Sequence, residues 1–133
     1  MSKYLLDTNI CVYFLNGKFD LETKLDEVGF ENCVVSEITI AELKYGVEKS
    51  TNKEVNRKTL ETFQKKFDII PIFPAFDIYA REKTRLKTKG KILDDFDLLI
   101  GSSAIFNNLI LVTKNVSDFD RMENIYIEDW TLS

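Results

Sequence analysis

Leu109-Ile110-Leu111-Val112-Thr113, followed by the polar run Lys114-Asn115-Val116-Ser117-Asp118, decides the fold. A strand that is apolar at every position, without alternation, is buried on both faces, as in a parallel sheet covered by helices. The same pattern recurs upstream. Tyr4-Leu5-Leu6 ends abruptly at Asp7-Thr8-Asn9, ahead of an apolar stretch at 10–15, which predicts a strand, a turn and a helix capped by Thr8 or Asn9. Asn16-Gly17 stops that helix. Residues 21–28 predict a short amphipathic helix, and Cys33-Val34-Val35 a second buried strand. Helices follow at 36–50 and 52–67, the second with an apolar stripe of Val55, Leu60, Phe63 and Phe67. Residues 69–73 are strand-like but broken by Pro71, which suits a sheet edge. A helix at 76–89 and a last strand, Ile125-Tyr126-Ile127, complete the pattern. Strands separated by helices define an α/β fold around a central parallel sheet, whose ligand crevice lies at the carboxyl ends of the strands. Asp7 and the 113–118 turn fall at such ends.

The 133 residues suit a single domain over 1–133. A net charge of −4, from 22 acidic and 18 basic side chains, argues against coating nucleic acid by charge, so any such contact is local. No stretch reaches the length of a membrane span, and residues 1–7 lack the apolar region of a secretory signal. The expectation is a cytoplasmic protein with no membrane partner. Cys11 and Cys33 lack CxxC spacing and read as buried free thiols. The chain has no histidine, which removes His-based acid/base chemistry, Ser-His-Asp and Cys-His nucleophiles, and most catalytic zinc sites.

Chemistry must then run on carboxylates, and one segment concentrates them: G-K-I-L-D-D-F-D-L-L-I-G-S-S-A at 90–104. A carboxylate in a core-seeking helix costs several kcal/mol unless paired or bound to a cation. Asp94 and Asp95 have a simple account, stabilisation at a helix N-terminus, and Asp95 fits it best. Asp97 lies inside the helix, with Gly101 one turn later leaving space beside it. Asp7 is free for function, because Thr8 and Asn9 can both cap. Glu42 is ambiguous: Thr39-x-x-Glu42 matches a capping box. Asp118 is either a turn residue or a site acid, depending on whether Asp7 and Asp97 converge nearby, beside Thr113 and Asn115. Converging carboxylates without histidine need a hard cation, Mg²⁺ or Mn²⁺, whose chemistry is in-line phosphodiester hydrolysis.

The motifs Y-L-L-D-T-N, S-x-x-T-x-A-E-L-x-x-G at 36–46, I-L-D-D-F-D-L-L-I-G-S-S-A and L-V-T-K-N-V-S-D-F resemble those of PIN-domain ribonucleases, and more narrowly VapC toxins of type II toxin–antitoxin systems. The resemblance implies a three-layer α/β/α sandwich and an Mg²⁺-dependent endoribonuclease, with Mn²⁺ as a substitute ion. It places the metal site on Asp7, Glu42 and Asp97, and the catalytic set on these with Asp118. Asn115 competes with Asp118 for the fourth position, and Asp94, Asn9 and Thr113 are auxiliary. It also implies an RNA substrate, with tRNA a candidate, a cognate antitoxin and a homodimer. Many relatives carry Ala where this chain has Gly101, a change expected to be mild. Ahead of the acids, Arg81, Lys83, Arg85, Lys87, Lys89 and Lys91, opposed only by Glu82, form either a solvated helix face or an RNA contact, the latter through Arg85, Lys87, Lys89 and Lys91. Two other readings compete: a phosphatase-like enzyme with Asp7 as nucleophile, and a PIN fold that binds without cleaving.

Overall fold

The computed structural model describes residues 2–132. Five short strands, β1 (Tyr4–Leu6), β2 (Cys33–Ser36), β3 (Asp68–Ile70), β4 (Ile110–Val112) and β5 (Tyr126–Glu128), form one sheet in the order β3-β2-β1-β4-β5. All four pairings are parallel, with Leu5 opposite Val34 on one side and Leu111 on the other. Helices α1 (Thr8–Leu15), α2 (Leu21–Val28), α3 (Glu37–Glu48) and α4 (Lys53–Gln64) precede β3, while α5 (Phe76–Thr88), α6 (Asp95–Phe106) and the one-turn α7 (Val116–Phe119) follow it.

Successive strand residues face opposite ways, so each strand feeds two cores. Tyr4, Leu6, Cys33, Val35 and Val112 pack with Ile10, Leu25, Leu60 and Phe63 on one face. Leu5, Val34 and Leu111 pack with Leu86, Leu98, Ile100 and Phe119 on the other. The sandwich is therefore α/β/α, as the sequence predicts. Each fully buried Leu, Ile or Phe contributes about 1.5–3 kcal/mol of transfer free energy, which is why strands of three or four residues suffice. Pro71 follows edge strand β3, and Tyr126, on the opposite edge strand, is exposed.

The chain builds β1, β2 and β3 outward on one side, then returns to build β4 and β5 on the other. Strand order reverses at β1, and ligand crevices of open parallel sheets form at such a switch point. Asp7 directly follows β1, and its amide donates to Val112 O at 2.9 Å, extending the β1–β4 ladder to the acid.

Several local expectations fail for packing reasons. The helix expected over 52–67 ends at Gln64, and Phe67 enters the core from beyond its end, against Phe63 and Phe30. Val55 is exposed and not part of the core stripe. The polar turn after β4 contains α7, whose Phe119 is fully buried and anchors it. The space expected at Gly101 is taken: a Cβ there would press on the Met122 thioether and touch Phe119 at 3.4 Å. The glycine admits those side chains against α6, and Ala at this position would require the flexible end of Met122 to move aside.

Candidate functional site

Asp7 is 3% exposed, and both of its oxygens are engaged. Oδ1 accepts from the Thr8 amide at 2.8 Å and Oδ2 from the Thr113 hydroxyl at 2.8 Å. Asp7 is therefore the N-cap of α1, a role the sequence reading gave to Thr8 or Asn9. Asn9 is exposed and takes no part in these contacts. Burial pushes the Asp7 carboxyl above its ordinary value; the two hydrogen bonds oppose this, and the Glu42 charge adds to it. Each oxygen accepts one hydrogen bond and keeps a second lone pair, so the carboxylate is fixed in orientation and still able to act as a ligand.

With Asp7 capping, the Thr8 side chain is released for another task. Its hydroxyl lies 2.7 Å from Glu42 Oε1 and 2.9 Å from Thr39 Oγ1. The capping box expected at Thr39-x-x-Glu42 does not form. Ser36 caps α3 instead, accepting from the Ile38 amide at 3.0 Å, which puts Thr39 and Glu42 inside the helix, three residues apart on one face. Thr39 is fully buried. Glu42 therefore has no capping duty, and its carboxylate meets α1 through Thr8. The roles of Thr8 and Thr39 went unread in the sequence, although both lie within the quoted motifs at the spacing that brings Thr39 under Glu42.

The three acids of 94–97 separate cleanly. Asp94 is the N-cap of α6, accepting from the Phe96 amide at 3.2 Å, and Asp95 opens the first turn, the helix-terminus position expected of it. Asp95 turns outward to Lys83 Nζ and the Tyr79 hydroxyl, both at 2.9 Å, and the Lys83 hydrogen bond holds its carboxyl below the ordinary value. Asp97 has neither partner. Its carboxyl is pushed from 3.8 to about 6, first by burial and then by the charges of Asp7, Asp94, Glu42 and Asp118. One side chain thus senses every acid that the sequence nominated.

At the end of β4, the Thr113 hydroxyl donates to Asp7 and accepts from the Asn115 amide at 3.0 Å, joining the α7 turn to the switch point. Asp118 is half-exposed and pairs with Arg121 at 3.3 Å, so it has its own counterion. Asp7, Glu42, Asp94 and Asp97 have no ion pair among the described residues. The thiols Cys11 and Cys33 are buried and free, with pKa values pushed up by burial, Cys33 to about 12. They are inert nucleophiles.

An all-oxygen, anion-rich cluster whose inner acids have no basic partner among the described residues has the donor chemistry of a hard divalent cation. Among the described residues, no three acids close tightly enough to cage an ion by direct contact. Mg²⁺ dehydrates reluctantly and is commonly bound through one or two carboxylates and several waters. The donor set fits that mode of binding. Beside Glu42 and Thr8 opens a largely apolar groove of about 1060 Å³, walled by Val12, Leu15, Tyr45, Leu60 and Phe96.

The basic run divides as well. Arg85 grips the buried Glu82 through Nε at 2.7 Å and Nη2 at 2.9 Å, and Nη2 also donates to Arg121 O at 2.7 Å. Glu82 in turn accepts from the Glu123 amide at 2.7 Å, and the Arg85 contact holds its carboxyl below the ordinary value. Arg85 is thus a clamp between α5 and the 121–123 loop, not a free phosphate contact. Lys87, Lys89 and Lys91 are exposed and unpaired among the described residues.

A family model described as the PIN domain matches residues 4–125. The chain belongs to the PIN-domain family. Ribonuclease VapC2 of Rickettsia felis is 42% identical over 130 residues, covering 96% of this chain and 97% of the relative. The tRNA(fMet)-specific endonuclease VapC of Shigella flexneri is 30% identical, covering 98% and 100%. Among solved structures, the DNA-bound VapBC of Salmonella typhimurium superposes with a TM-score of 0.92 at 30% identity, covering 98% of this chain and 99% of that one. This PIN chain is a ribonuclease of the VapC kind, and the reading as a binding module without catalysis is set aside.

Proposed function

We propose that this chain is the toxin of a toxin–antitoxin pair, and that it hydrolyses a phosphodiester bond of tRNA with water, using Mg²⁺ held by Asp7, Glu42 and Asp97. The single observation that carries the assignment is Asp97, a half-buried acid lifted to about 6 by burial and four neighbouring carboxylates. Fold stability alone gives no reason to assemble such a group. When bound, the ion would supply an activated water and stabilise charge on the reacting phosphate.

The protein's own contribution is pre-organisation. Thr113 and the Thr8 amide fix the Asp7 carboxylate in one orientation. The Thr8 hydroxyl does the same for Glu42, backed by Thr39 from the core. Asp97 enters from α6, whose start is fixed by the Asp94 cap. Three elements thus present the acids, two of them, Asp7 and Glu42, held by hydrogen bonds to the scaffold, so little reorganisation of those two is needed on binding. Asp118, drawn toward Arg121, and Asn115 are the outer members of the set. Lys87, Lys89 and Lys91 would contact phosphates locally, consistent with a chain of net charge −4.

The antitoxin would lay an apolar helix in the groove beside Glu42 and set a basic side chain against the acids, which have none of their own. Manganese would substitute for magnesium, and the site of action would be the cytoplasm, where tRNA resides; among the described residues no helix is long and apolar enough to cross a membrane. Incubating purified chain with total tRNA and Mg²⁺, then sequencing the new RNA ends, tests the substrate. Cuts confined to one position of one or a few tRNAs are expected. Uniform degradation of all RNA, or cleavage that persists in EDTA, would overturn the proposal.

A further inference from the structure

Away from the acids, one feature of the strand ends has no role in the fold or in the hydrolytic set. Lys114, next to Thr113, lies over two rings at once, 5.7 Å from the Tyr13 centroid and 5.1 Å from the Phe19 centroid. The two rings meet edge to face at 5.0 Å. Phe19 is 43% exposed, and its backbone is left-handed at φ 60, followed by Asp20 at φ 52. Non-glycine residues rarely adopt this conformation, and a bulky aromatic least of all. Burial does not explain holding an exposed ring in a strained loop, and such strain collects at ligand sites. Lys18 and Lys114 are both exposed and make no ion pair among the described residues.

The position is as informative as the chemistry. The Thr113 hydroxyl binds Asp7, so Lys114 lies one residue from the candidate centre. Tyr13 is six residues along α1 from the Asp7 cap, about 9 Å of helix rise. An exposed ring flanked by two unpaired cations beside a phosphodiester-cleaving centre matches what single-stranded RNA offers, a flat base and a phosphate. We propose that Phe19, supported by Tyr13, stacks a base of the RNA beside the bond to be cut, while Lys114 and Lys18 hold the adjoining phosphates. The proposal rests on the ribonuclease reading and adds a substrate subsite to it.

The test is RNA affinity, read by fluorescence anisotropy with a short labelled single-stranded RNA and Mg²⁺, in an Asp97→Asn background so that the strand stays intact. Phe19→Ala and Phe19→Gly should each weaken binding by about 5- to 100-fold, the range for losing one base stack. Phe19→Trp should retain affinity. Glycine suits the left-handed backbone, so Phe19→Gly should keep or raise the thermal midpoint while affinity falls, which a merely structural role for the ring would not produce. Lys114→Gln should reduce the slope of log affinity against log salt by about one phosphate contact. Phe106→Ala, an exposed ring at the far end of α6, is the control and should bind like the parent. Affinity of the Phe19→Gly variant within about twofold of the parent would overturn the subsite and leave the ribonuclease reading standing. A parent that does not bind this RNA would also overturn the subsite, whereas failure of the wild-type chain to cleave tRNA would overturn the ribonuclease reading.

Discussion

Replacing Asp97 by Asn should make the metal-free protein more stable at neutral pH. The carboxyl is raised from 3.8 to about 6 because its charged form is desolvated and faces Asp7, Asp94, Glu42 and Asp118. Between those two pH values the folded chain holds a proton that the unfolded chain has released. Linkage then requires this residue's contribution to be most favourable below about pH 4, to fall as pH rises through about 6, and to stay flat above. At about 1.4 kcal/mol per pH unit the full shift corresponds to about 3 kcal/mol. Asp97 is only half-buried, and solvent screening brings the expected penalty to about 1–2 kcal/mol. Asparagine has nearly the same shape and no charge, so it removes the penalty. Urea unfolding in EDTA should show Asp97→Asn ahead of wild type by about 1–2 kcal/mol at pH 7, with the gap closing by about pH 4. Adding Mg²⁺ should stabilise wild type and not the variant, because a ligand stabilises only the state that binds it. An Asp97→Asn protein that is less stable than wild type at pH 7 in EDTA, or a gap independent of pH, would show that the Asp97 charge does not burden the fold.

Other consequences concern the supporting contacts. Thr39→Val, which keeps the shape and deletes the hydroxyl near Thr8, should cost about 1 kcal/mol and weaken Mg²⁺ binding in calorimetry, while Thr39→Ser should restore both. Arg85→Ala removes the clamp on buried Glu82 and should lower stability by about 2–4 kcal/mol in urea unfolding, without the reduced salt slope expected of a lost phosphate contact. The Glu82 carboxyl is held below its ordinary value in the folded chain, so the stability it lends is present at neutral pH and lost as pH falls through its folded value; unfolding of wild type and Glu82→Gln should converge in acid. Gly101→Ala must displace the flexible end of Met122, which offsets the roughly 1 kcal/mol better helix preference of Ala, so the net change in stability should stay under about 1 kcal/mol. In a double-mutant cycle with Met122→Ala the two changes should be non-additive, and simple additivity would show that the close contact is not the cause.

The sheet and the acids were readable from sequence to different depths. Unbroken apolar runs at Leu5-Leu6, Val34-Val35 and Leu111-Val112 mark buried parallel strands, and each is almost fully buried in the sheet. A run of that kind has one physical explanation, so the architecture followed. Asp7, Glu42 and Asp97 could be nominated because each combines a charge with an apolar setting. The partners of those acids were not readable. A cap is decided by which of several adjacent polar residues has the right backbone angles, and Asp7 and Ser36 won over Thr8 and Thr39. Those outcomes then released Thr8 and Thr39 for contacts 31 and 34 residues apart in sequence, which no local pattern encodes. Arg85 failed for a related reason. Charge density along the chain cannot tell a solvated cation from one folded back on a buried Glu82 and on the 121–123 loop. Gly101 looked like space beside Asp97 because the residue that fills it, Met122, arrives from beyond α7.

If Asp7, Glu42 and Asp97 form the working site of a metal-dependent ribonuclease, cleavage of RNA by folded variants must depend on them and on the ion. Single-turnover cleavage of labelled tRNA should be supported by Mg²⁺ or Mn²⁺, vanish in EDTA and return when the ion is restored. Asp7→Asn and Asp97→Asn proteins with native circular dichroism should be slower by about a thousandfold or more, as when a group acting on the transition state is removed. Cleavage at the wild-type rate by either variant, or by wild type in EDTA, would show that these acids and a bound ion are not the working site.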